Sequence, residues 1–137
     1  NPLGAHGERI DAGDFGGVGE LFAHGALTGP DGTVFARGAA EVADWYRRGV
    51  QLHGGSPRTR HHVTNTVVEE PAADGTVTVR SSYLVVQEVD GLPLQPVIAG
   101  RYVDRFERGA DGTWRYAERR FTADLVGDLS HHWSGPT

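Results

Sequence analysis

The first part of the chain has apolar residues at helical spacing. This spacing predicts a first helix over residues 3–11, a second over 15–22 that begins after the N-cap Asp14, and a third over about 38–52. Between the last two helices, the segment ALTGPDGTVFARG has apolar residues on both sides of Gly-Pro-Asp-Gly and predicts a short hairpin or loop. The apolar stripes of the second and third helices are typical of surfaces that face a core.

The remainder of the chain has the pattern of strands. Four stretches rich in Val, Thr, Tyr and Phe are separated by turn signals: HHVTNTVVEE, TVTVRSSYLVVQEV, LQPVIAGRYVDRFER and TWRYAERRFTADL. Helices followed by consecutive strands predict an α+β fold, in which a curved antiparallel sheet wraps over a helical layer. The length of 137 residues fits a single domain, residues 1–137.

The charge pattern and the absence of cysteine exclude several function classes. The formal charge is −5 at pH 7, and the arginines are scattered among acids, so no basic stripe could track phosphates or an anionic membrane. We therefore predict neither nucleic acid nor a membrane as a partner. With 0 cysteines, disulfides, thiolate metal ligands and a cysteine nucleophile are excluded. No apolar run approaches the ~20 residues of a membrane-spanning helix, and a cytoplasmic protein is expected.

Two adjacent histidines open the first predicted strand of this second part, in the segment RTRHHVTN. Neighbouring residues on a strand point to opposite faces, so His61 shares one face with Asn65 and His62 takes the other. Both faces are mixed in polarity, so alternation alone does not decide which histidine faces inward. On the next strand the same rule places Tyr83 and Gln87 with valines on the inward face, where polar groups need partners or a pocket.

Asp11 lies at the predicted end of the first helix, where a carboxylate is unfavourable because the helix dipole is negative there. A histidine partner would account for its position, since a carboxylate that accepts an imidazole N–H fixes the tautomer and raises the basicity of the other nitrogen. From the residues alone, two plainer interpretations stay open: a solvated aspartate, and a core or surface histidine whose polar atoms are satisfied.

The remaining histidines and the arginines form weaker patterns. The histidines lack the compact or helical spacing of a recognised metal site, so no metal ion is predicted. The pair His131 and His132, in the segment HHW, is interpreted as a surface feature. Most of Arg101, Arg119 and Arg120 are interpreted as solvated outer-face or interface residues, although one of them could reach an acidic substrate.

Three segments together resemble a known family: IDAGDFGGVGELF, RTRHHVTNTVVEE and VIAGRYVDRFERGADGTWRYAERR. They are similar to the SnoaL-like branch of the nuclear transport factor 2 superfamily, which includes scytalone dehydratase, bacterial bile-acid dehydratases and polyketide cyclases. The likeness covers most of the chain, from about residue 5 to 122. It implies a single SnoaL-like domain: a cone-shaped α+β barrel with a strongly curved antiparallel sheet packed on three N-terminal helices around a deep apolar pocket. It also implies a homodimer.

The resemblance implies a catalytic pair. In the dehydratase members, an aspartate from the first helix and a histidine on the strand after the third helix act together as general base and acid. The segment IDAGDF carries Asp11 at the aspartate position, and RTRHH carries His61 at the histidine position. His61 is therefore the expected inward histidine, and His62 falls where relatives usually have an apolar residue.

Other positions depart from the family pattern. Gln87 stands near the place of the second catalytic histidine of scytalone dehydratase, and His6 replaces a tyrosine that bile-acid dehydratases carry five residues before the aspartate. The hydrogen-bonding tyrosine of scytalone dehydratase before the third helix has no match in the segment TGPDG. We expect substrate contacts from His6, Gln87, Tyr83 and Asn65.

Two function classes follow. The first is a cofactor-independent acid/base enzyme, a lyase (dehydratase) or an isomerase or cyclase, that uses Asp11 and His61 in a deep pocket. Its substrate would be a small apolar oxygenated ring compound such as a polyketide or steroid. The second is a non-catalytic ligand-binding or assembly module like the small subunit of a ring-hydroxylating dioxygenase. We favour the enzyme; an open cavity with an assembled dyad would support it, and a plugged cavity would support the module.

Overall fold

The computed structural model describes residues 2–135. Its helices are α1 (Pro2–Asp11), α2 (Phe15–Leu21) and α3 (Gly38–Gly49). Its strands are β1 (Ala26–Thr28), β2 (Val34–Arg37), β3 (Thr59–Val68), β4 (Val77–Val89), β5 (Leu92–Arg108) and β6 (Trp114–Val126). Within these described residues, no helix is both long and apolar enough to cross a membrane.

The six strands form one mixed sheet in the order β2-β1-β6-β5-β4-β3. Neighbouring strands are antiparallel except β1 and β6, which run parallel. The predicted hairpin is confirmed as β1 and β2, and it joins the long strands through the parallel pairing of β1 with β6. Shifts of register between the long strands are the bulges that bend a sheet. The α+β class is confirmed, with a sheet that is curved and not closed, since β2 and β3 form its two edges.

The helices begin and end for local reasons. α2 starts after Asp14 as predicted, and Asp14 Oδ1 accepts a hydrogen bond from the Gly17 backbone N–H at 2.9 Å. α3 ends at Gly49, before the predicted end at residue 52, because Val50 is extended and forms a β-bridge with Trp133. A side chain at Gly49 would overlap the Trp133 indole, so glycine allows this aromatic ring to lie on the end of α3.

The core lies between the helices and one face of the sheet. Its largest cluster combines apolar residues of all three helices with residues of the strands, among them Ile10, Phe15, Val18, Phe22, Val42 and Phe106. Along β4, alternation is confirmed: alternate residues from Val79 to Gln87 are buried, and those between them are more exposed. This inward face, together with the ends of α1 and α3, surrounds the candidate site.

Candidate active site

Asp11 and His61 meet because α1 packs against the beginning of β3. A Cβ atom at Gly7, one turn before Asp11, would lie only 3.0 Å from the His61 Cβ, so glycine permits the close approach of helix and strand. Asp11 is the last residue of α1, and its carboxylate reaches the backbone and side chains at the start of β3.

The Asp11 carboxylate holds His61 through both of its oxygens. Oδ1 lies 2.6 Å from His61 Nδ1, and Oδ2 accepts a hydrogen bond from the His61 backbone N–H at 2.8 Å. The Thr59 hydroxyl donates to Oδ1 at 2.8 Å. The side chains of His61 and Asp11 are only 8% and 11% exposed. The interpretation of Asp11 as a solvated helix-end aspartate is therefore wrong.

The protonation state of the dyad follows from these contacts. Burial alone would raise the pKa of the Asp11 carboxyl. The hydrogen bonds and charge of His61, together with the Thr59 hydroxyl, outweigh burial and hold that pKa below its ordinary value. An ionised carboxylate only accepts hydrogen bonds, so Nδ1 of His61 is the donor. In the neutral ring the unprotonated nitrogen is then Nε2.

The two histidines of RTRHHVTN lie on opposite faces of β3. His61 is paired with the buried Val85 of β4 and lines the interior cavity, whereas His62 is paired with Leu84 and is exposed. The prediction that His61 is the inward histidine is confirmed. His62 is an outer-face neighbour and has no place in the site.

A cavity of about 350 Å³ lies beside the dyad. Its wall is mainly aromatic and apolar, and it includes residues of α3 and of five strands. The aromatic residues that line it from these elements are Phe35, Trp45, Tyr46, Tyr83, Tyr102 and Phe121. Enclosed spaces of ~300–1,000 Å³ with apolar walls and a few polar groups are typical of small-molecule sites. His61 therefore lies in the wall of a space large enough for a small ring compound, with Asp11 bonded to it from outside the wall.

His6, one of the expected substrate contacts, lies in this wall. It is paired with Tyr46, which was not expected to belong to the site. Its Nε2 is 2.9 Å from the Tyr46 hydroxyl, and both side chains are buried. Burial, and then the charges of Arg119 and His61, lower the pKa of His6 well below the usual value. Burial raises the pKa of Tyr46. Near neutral pH the pair is therefore uncharged.

Tyr83 also lines the cavity, but its hydrogen is already committed. The hydroxyl donates to the backbone carbonyl of Thr122 at 2.8 Å, and burial raises the Tyr83 pKa. A ligand could use this oxygen only as a hydrogen-bond acceptor.

Gln87 does not line the cavity, so the geometry of this site does not support its predicted contact with a substrate. The inward direction of its side chain is as predicted, but its Nε2 donates to the backbone carbonyls of Pro57 at 3.1 Å and His131 at 3.0 Å. The amide nitrogen joins the chain before β3 to the C-terminal segment, a contact between distant parts of the chain that strand alternation could not reveal.

The prediction that Asn65 lies on the same face of β3 as His61 is wrong. It is exposed, has a positive φ of 55°, and lies where the pairing of β3 with β4 shifts between Thr64 and Val67. The bulge puts Asn65 out of step with His61, so the simple alternation of faces fails beyond Thr64. Asn65 does not line the cavity beside the dyad.

A buried ion pair in the cavity wall was missed. Arg119 Nε and Nη2 donate to the two oxygens of Asp104 at 2.8 and 2.9 Å, and the side chains are 1% and 0% exposed. The Arg119 guanidinium also lies over the Tyr102 ring, 3.6 Å from its centroid. The interpretation as a solvated arginine is wrong for Arg119. The sequence signal for this pair is that Asp104 and Arg119, which carry opposite charges, lie opposite each other on β5 and β6. That signal can be recognised only when the register of the two strands is known.

The C-terminal segment, residues 127–135, supplies two further wall residues. His132 is 7% exposed and lines the cavity together with Trp133, so the interpretation of HHW as a surface feature is wrong for both. The segment is held to the end of α3, where the backbone N–H of Gln51 donates to the His132 carbonyl at 2.9 Å. Burial, and then the charge of His61, lower the pKa of His132 to about 4.

Three buried nitrogens of cavity-lining residues have no hydrogen-bond partner within residues 2–135: His6 Nδ1, Arg119 Nη1 and His132 Nδ1. Buried polar atoms are nearly always paired, so such a group marks a place where a bound molecule would gain interactions. Among the same described residues, no three His, Asp or Glu side chains come close enough together to hold a metal ion.

Solved structures with the same fold come from several bacteria. ActVI-ORFA from Streptomyces coelicolor is 24% identical with a TM-score of 0.72, over 90% of this chain and 92% of its own. Rv3472, a protein of unknown function from Mycobacterium tuberculosis, is 26% identical with a TM-score of 0.72, over 91% and 69%. The β subunit of a candidate aromatic-ring-hydroxylating dioxygenase from Novosphingobium aromaticivorans is 21% identical with a TM-score of 0.69, over 92% and 86%.

Comparison with curated proteins finds no match. The profile of the SnoaL-like domain family matches residues 2–120, which is most of the chain and includes the dyad, Asp104 and Arg119. The order of helices and strands, the curved sheet and this match agree, and the chain belongs to the SnoaL-like domain family.

Proposed function

We propose that the chain is a cofactor-independent acid/base enzyme, a lyase or an isomerase or cyclase, in which His61 is the general base and Asp11 orients it. The observation that carries the proposal is the 2.6 Å hydrogen bond between Asp11 Oδ1 and His61 Nδ1. It turns the other nitrogen, Nε2, into the basic atom, and no hydrogen bond within residues 2–135 occupies that atom. His61 lines the cavity, so a ligand there meets a free base.

The reaction begins at a carbon next to a carbonyl. Nε2 of His61 takes a proton from that carbon, the C–H electron pair forms a C=C bond, and the carbonyl π pair moves to oxygen as an enolate. In a β,γ-unsaturated ketone the anion is a dienolate: the oxygen pair restores the carbonyl, the C=C bond moves to the α,β position, and the displaced pair takes the proton at the γ carbon, which completes an isomerisation. Departure of a β-hydroxyl with that proton, as water, completes a dehydration. A positioned base of this kind contributes ~10²–10⁴-fold to the rate.

The cavity supports a small, apolar, oxygenated ring compound as the substrate class, for example a polyketide or steroid. Aromatic side chains cover the ring faces, and the polar groups His6 and Tyr46 are held neutral by burial. The charge of Arg119 is balanced by Asp104 within the wall. A flat, uncharged ring with one or two oxygens therefore fits the wall better than a polyanion does.

A second candidate, a non-catalytic module that binds a ligand or assembles with a larger subunit, is favoured by the likeness to a dioxygenase β subunit. The two candidates differ in what His61 does. In the enzyme its Nε2 removes protons, whereas in the module substitution of His61 would change binding or assembly and no reaction rate.

Deuterium exchange tests the proposal without knowledge of the natural product. Bicyclic ring ketones, beginning with 1-tetralone, are incubated with the protein in deuterated water, and loss of the proton NMR signal next to the carbonyl gives the exchange rate. We expect catalysed exchange with the parent, a loss of ~10²–10⁴-fold with His61→Ala, and the parental rate with the exposed control His62→Ala. Equal rates for His61→Ala and the parent would refute the role of His61, and bound ketone without exchange would favour the module.

A further inference from the structure

The C-terminal segment places a second imidazole opposite the dyad. The ring centroids of His132 and His61 are 6.4 Å apart, with an angle of 66° between the ring planes. Both residues line the same cavity, and His132 is 7% exposed. This spacing leaves room for one ligand atom or functional group to contact both rings.

The His132 ring is not used by the fold. None of the hydrogen bonds within residues 2–135 involves either ring nitrogen, and Nδ1 is fully buried. His6 differs, since its Nε2 is bonded to Tyr46 and its ring packs edge-on against Phe22 and Tyr102. Of the two imidazoles that accompany His61 in the wall, His132 is therefore the one whose Nε2, which is unpaired within residues 2–135 and not among the fully buried atoms, is available to a ligand.

The position of His132 is set by its backbone and its neighbours. The carbonyl of His131 accepts hydrogen bonds from Gln87 Nε2 at 3.0 Å and from His53 Nε2 at 2.7 Å. The His132 carbonyl accepts one from the Gln51 backbone N–H at 2.9 Å. None of these contacts uses the His132 side chain. The segment is thus held in place independently of the ring, which is what a functional group on a rigid support requires.

We propose that His132 contacts the ligand and donates a hydrogen bond to the oxygen that becomes negative when His61 removes a proton. The catalytic half of this inference rests on the proposed function, whereas the ligand contact does not. It makes the C-terminal segment a part of the active site, and Gln87 a residue that positions the segment.

The charges around His132 fit this role. It faces His61, with the Asp11 carboxylate behind that ring, and its low pKa keeps the imidazole neutral at neutral pH. A neutral imidazole always carries one N–H, so it donates to an oxygen without placing a second positive charge beside His61. Preorganised donors of this kind stabilise charge that develops on a substrate oxygen.

The test compares two flat probes that differ by one oxygen, 2-naphthol and naphthalene. The ratio of their affinities isolates the contribution of the hydroxyl, since the apolar contacts are shared. We expect His132→Ala to lower this ratio about five- to tenfold, the equivalent of one neutral hydrogen bond. His132→Asn, which keeps a donor, recovers part of it.

His131→Ala is the matched control, because the His131 side chain bonds only the adjacent Ser130 hydroxyl while its backbone carries the support. It leaves the ratio at the parental value. Nitrogen-15 NMR provides the second readout: 2-naphthol, but not naphthalene, shifts the His132 ring signals. An unchanged ratio with His132→Ala, or an equal fall with His131→Ala, would overturn the inference. If the ratio falls but the parent exchanges no ketone, the ligand contact stands and the proposed reaction does not.

Discussion

Two carboxylate pairs border the same cavity, and they differ in what they can do. Asp11 and His61 are joined at 2.6 Å, with side chains that are 11% and 8% exposed. Asp104 and Arg119 are joined at 2.8 and 2.9 Å, with side chains that are 0% and 1% exposed. The first pair ends in an imidazole whose second ring nitrogen can accept a proton, whereas the second ends in a guanidinium that stays protonated.

The difference separates the proposed base from a structural ion pair within one wall. Arg119 cannot act as a base, and its pair with Asp104 fixes a charge and a geometry inside the core. His61 has one nitrogen held by Asp11 and one that faces the cavity. A short contact between a carboxylate and a basic side chain is therefore not evidence of catalysis in itself. What distinguishes a base from a structural partner is whether the nitrogen that the carboxylate does not hold, here His61 Nε2, is free to accept a proton.

The largest difference that we expect between the two pairs is in stability, and it concerns Asp104 and Arg119. Arg119→Met leaves the Asp104 carboxylate buried without its partner, and we expect the free energy of unfolding to fall by about 3–5 kcal/mol. Arg101→Met is the control, because Arg101 and Asp124 form an exposed pair, whose loss has little effect on stability. Urea unfolding of both variants measures the contrast, and equal losses would show that burial of the Asp104 pair carries no weight.

The next largest effect concerns the reactive pair. Asp11→Asn replaces an acceptor of the His61 Nδ1 hydrogen with an amide that can donate to that nitrogen, which favours the tautomer with the proton on Nε2. We expect ring-ketone exchange to fall ~10²–10⁴-fold. Asp14→Asn keeps a good helix N-cap and should retain the parental rate. Exchange by Asp11→Asn at the parental rate would mean that Asp11 does not set the tautomer.

A smaller effect is the pH dependence of stability that His132, beside His61, gives to the protein. The folded pKa of His132 is lowered from 6.5 to about 4, so the unfolded chain binds the proton more tightly between these values. This contribution to stability is complete above pH 6.5 and is lost as pH falls towards 4. His132→Asn should remove about 3 kcal/mol of the parental decline in the free energy of unfolding, while His6, whose pKa is also lowered, keeps part of that decline. Chemical unfolding at a series of pH values measures the slope, and His131→Asn is expected to keep it. An unchanged slope in His132→Asn would contradict the assignment.

Most of the fold could be predicted because its signals are local or periodic. Helical spacing located α2 and α3, and alternation separated the two histidines of β3 onto opposite faces. The choice of His61 over His62 came from the resemblance to the SnoaL-like family, since both faces of β3 are mixed in polarity. The α+β class depended only on the order of these elements.

The rest of the site depends on contacts between distant segments. Arg119 is buried because β5 and β6 place it opposite Asp104, a register that no single strand displays. His132 belongs to a segment without periodicity, and its burial depends on the docking of that segment at Val50 and Gln51. Gln87 points inward as predicted, yet the same docking covers it. Local patterns fix directions of side chains, whereas the boundary of a cavity is set by tertiary packing.

The central claim, that Asp11 leaves His61 with an unprotonated Nε2 towards the cavity, is tested most directly by nitrogen-15 NMR of the His61 ring at a pH where the imidazole is neutral. The 2.6 Å contact predicts a protonated, strongly hydrogen-bonded Nδ1 and an unprotonated Nε2 in the parent, and a shift of the proton towards Nε2 in Asp11→Asn. A parental spectrum with the proton on Nε2 would contradict the account, because His61 would then meet the cavity as a donor and not as a base.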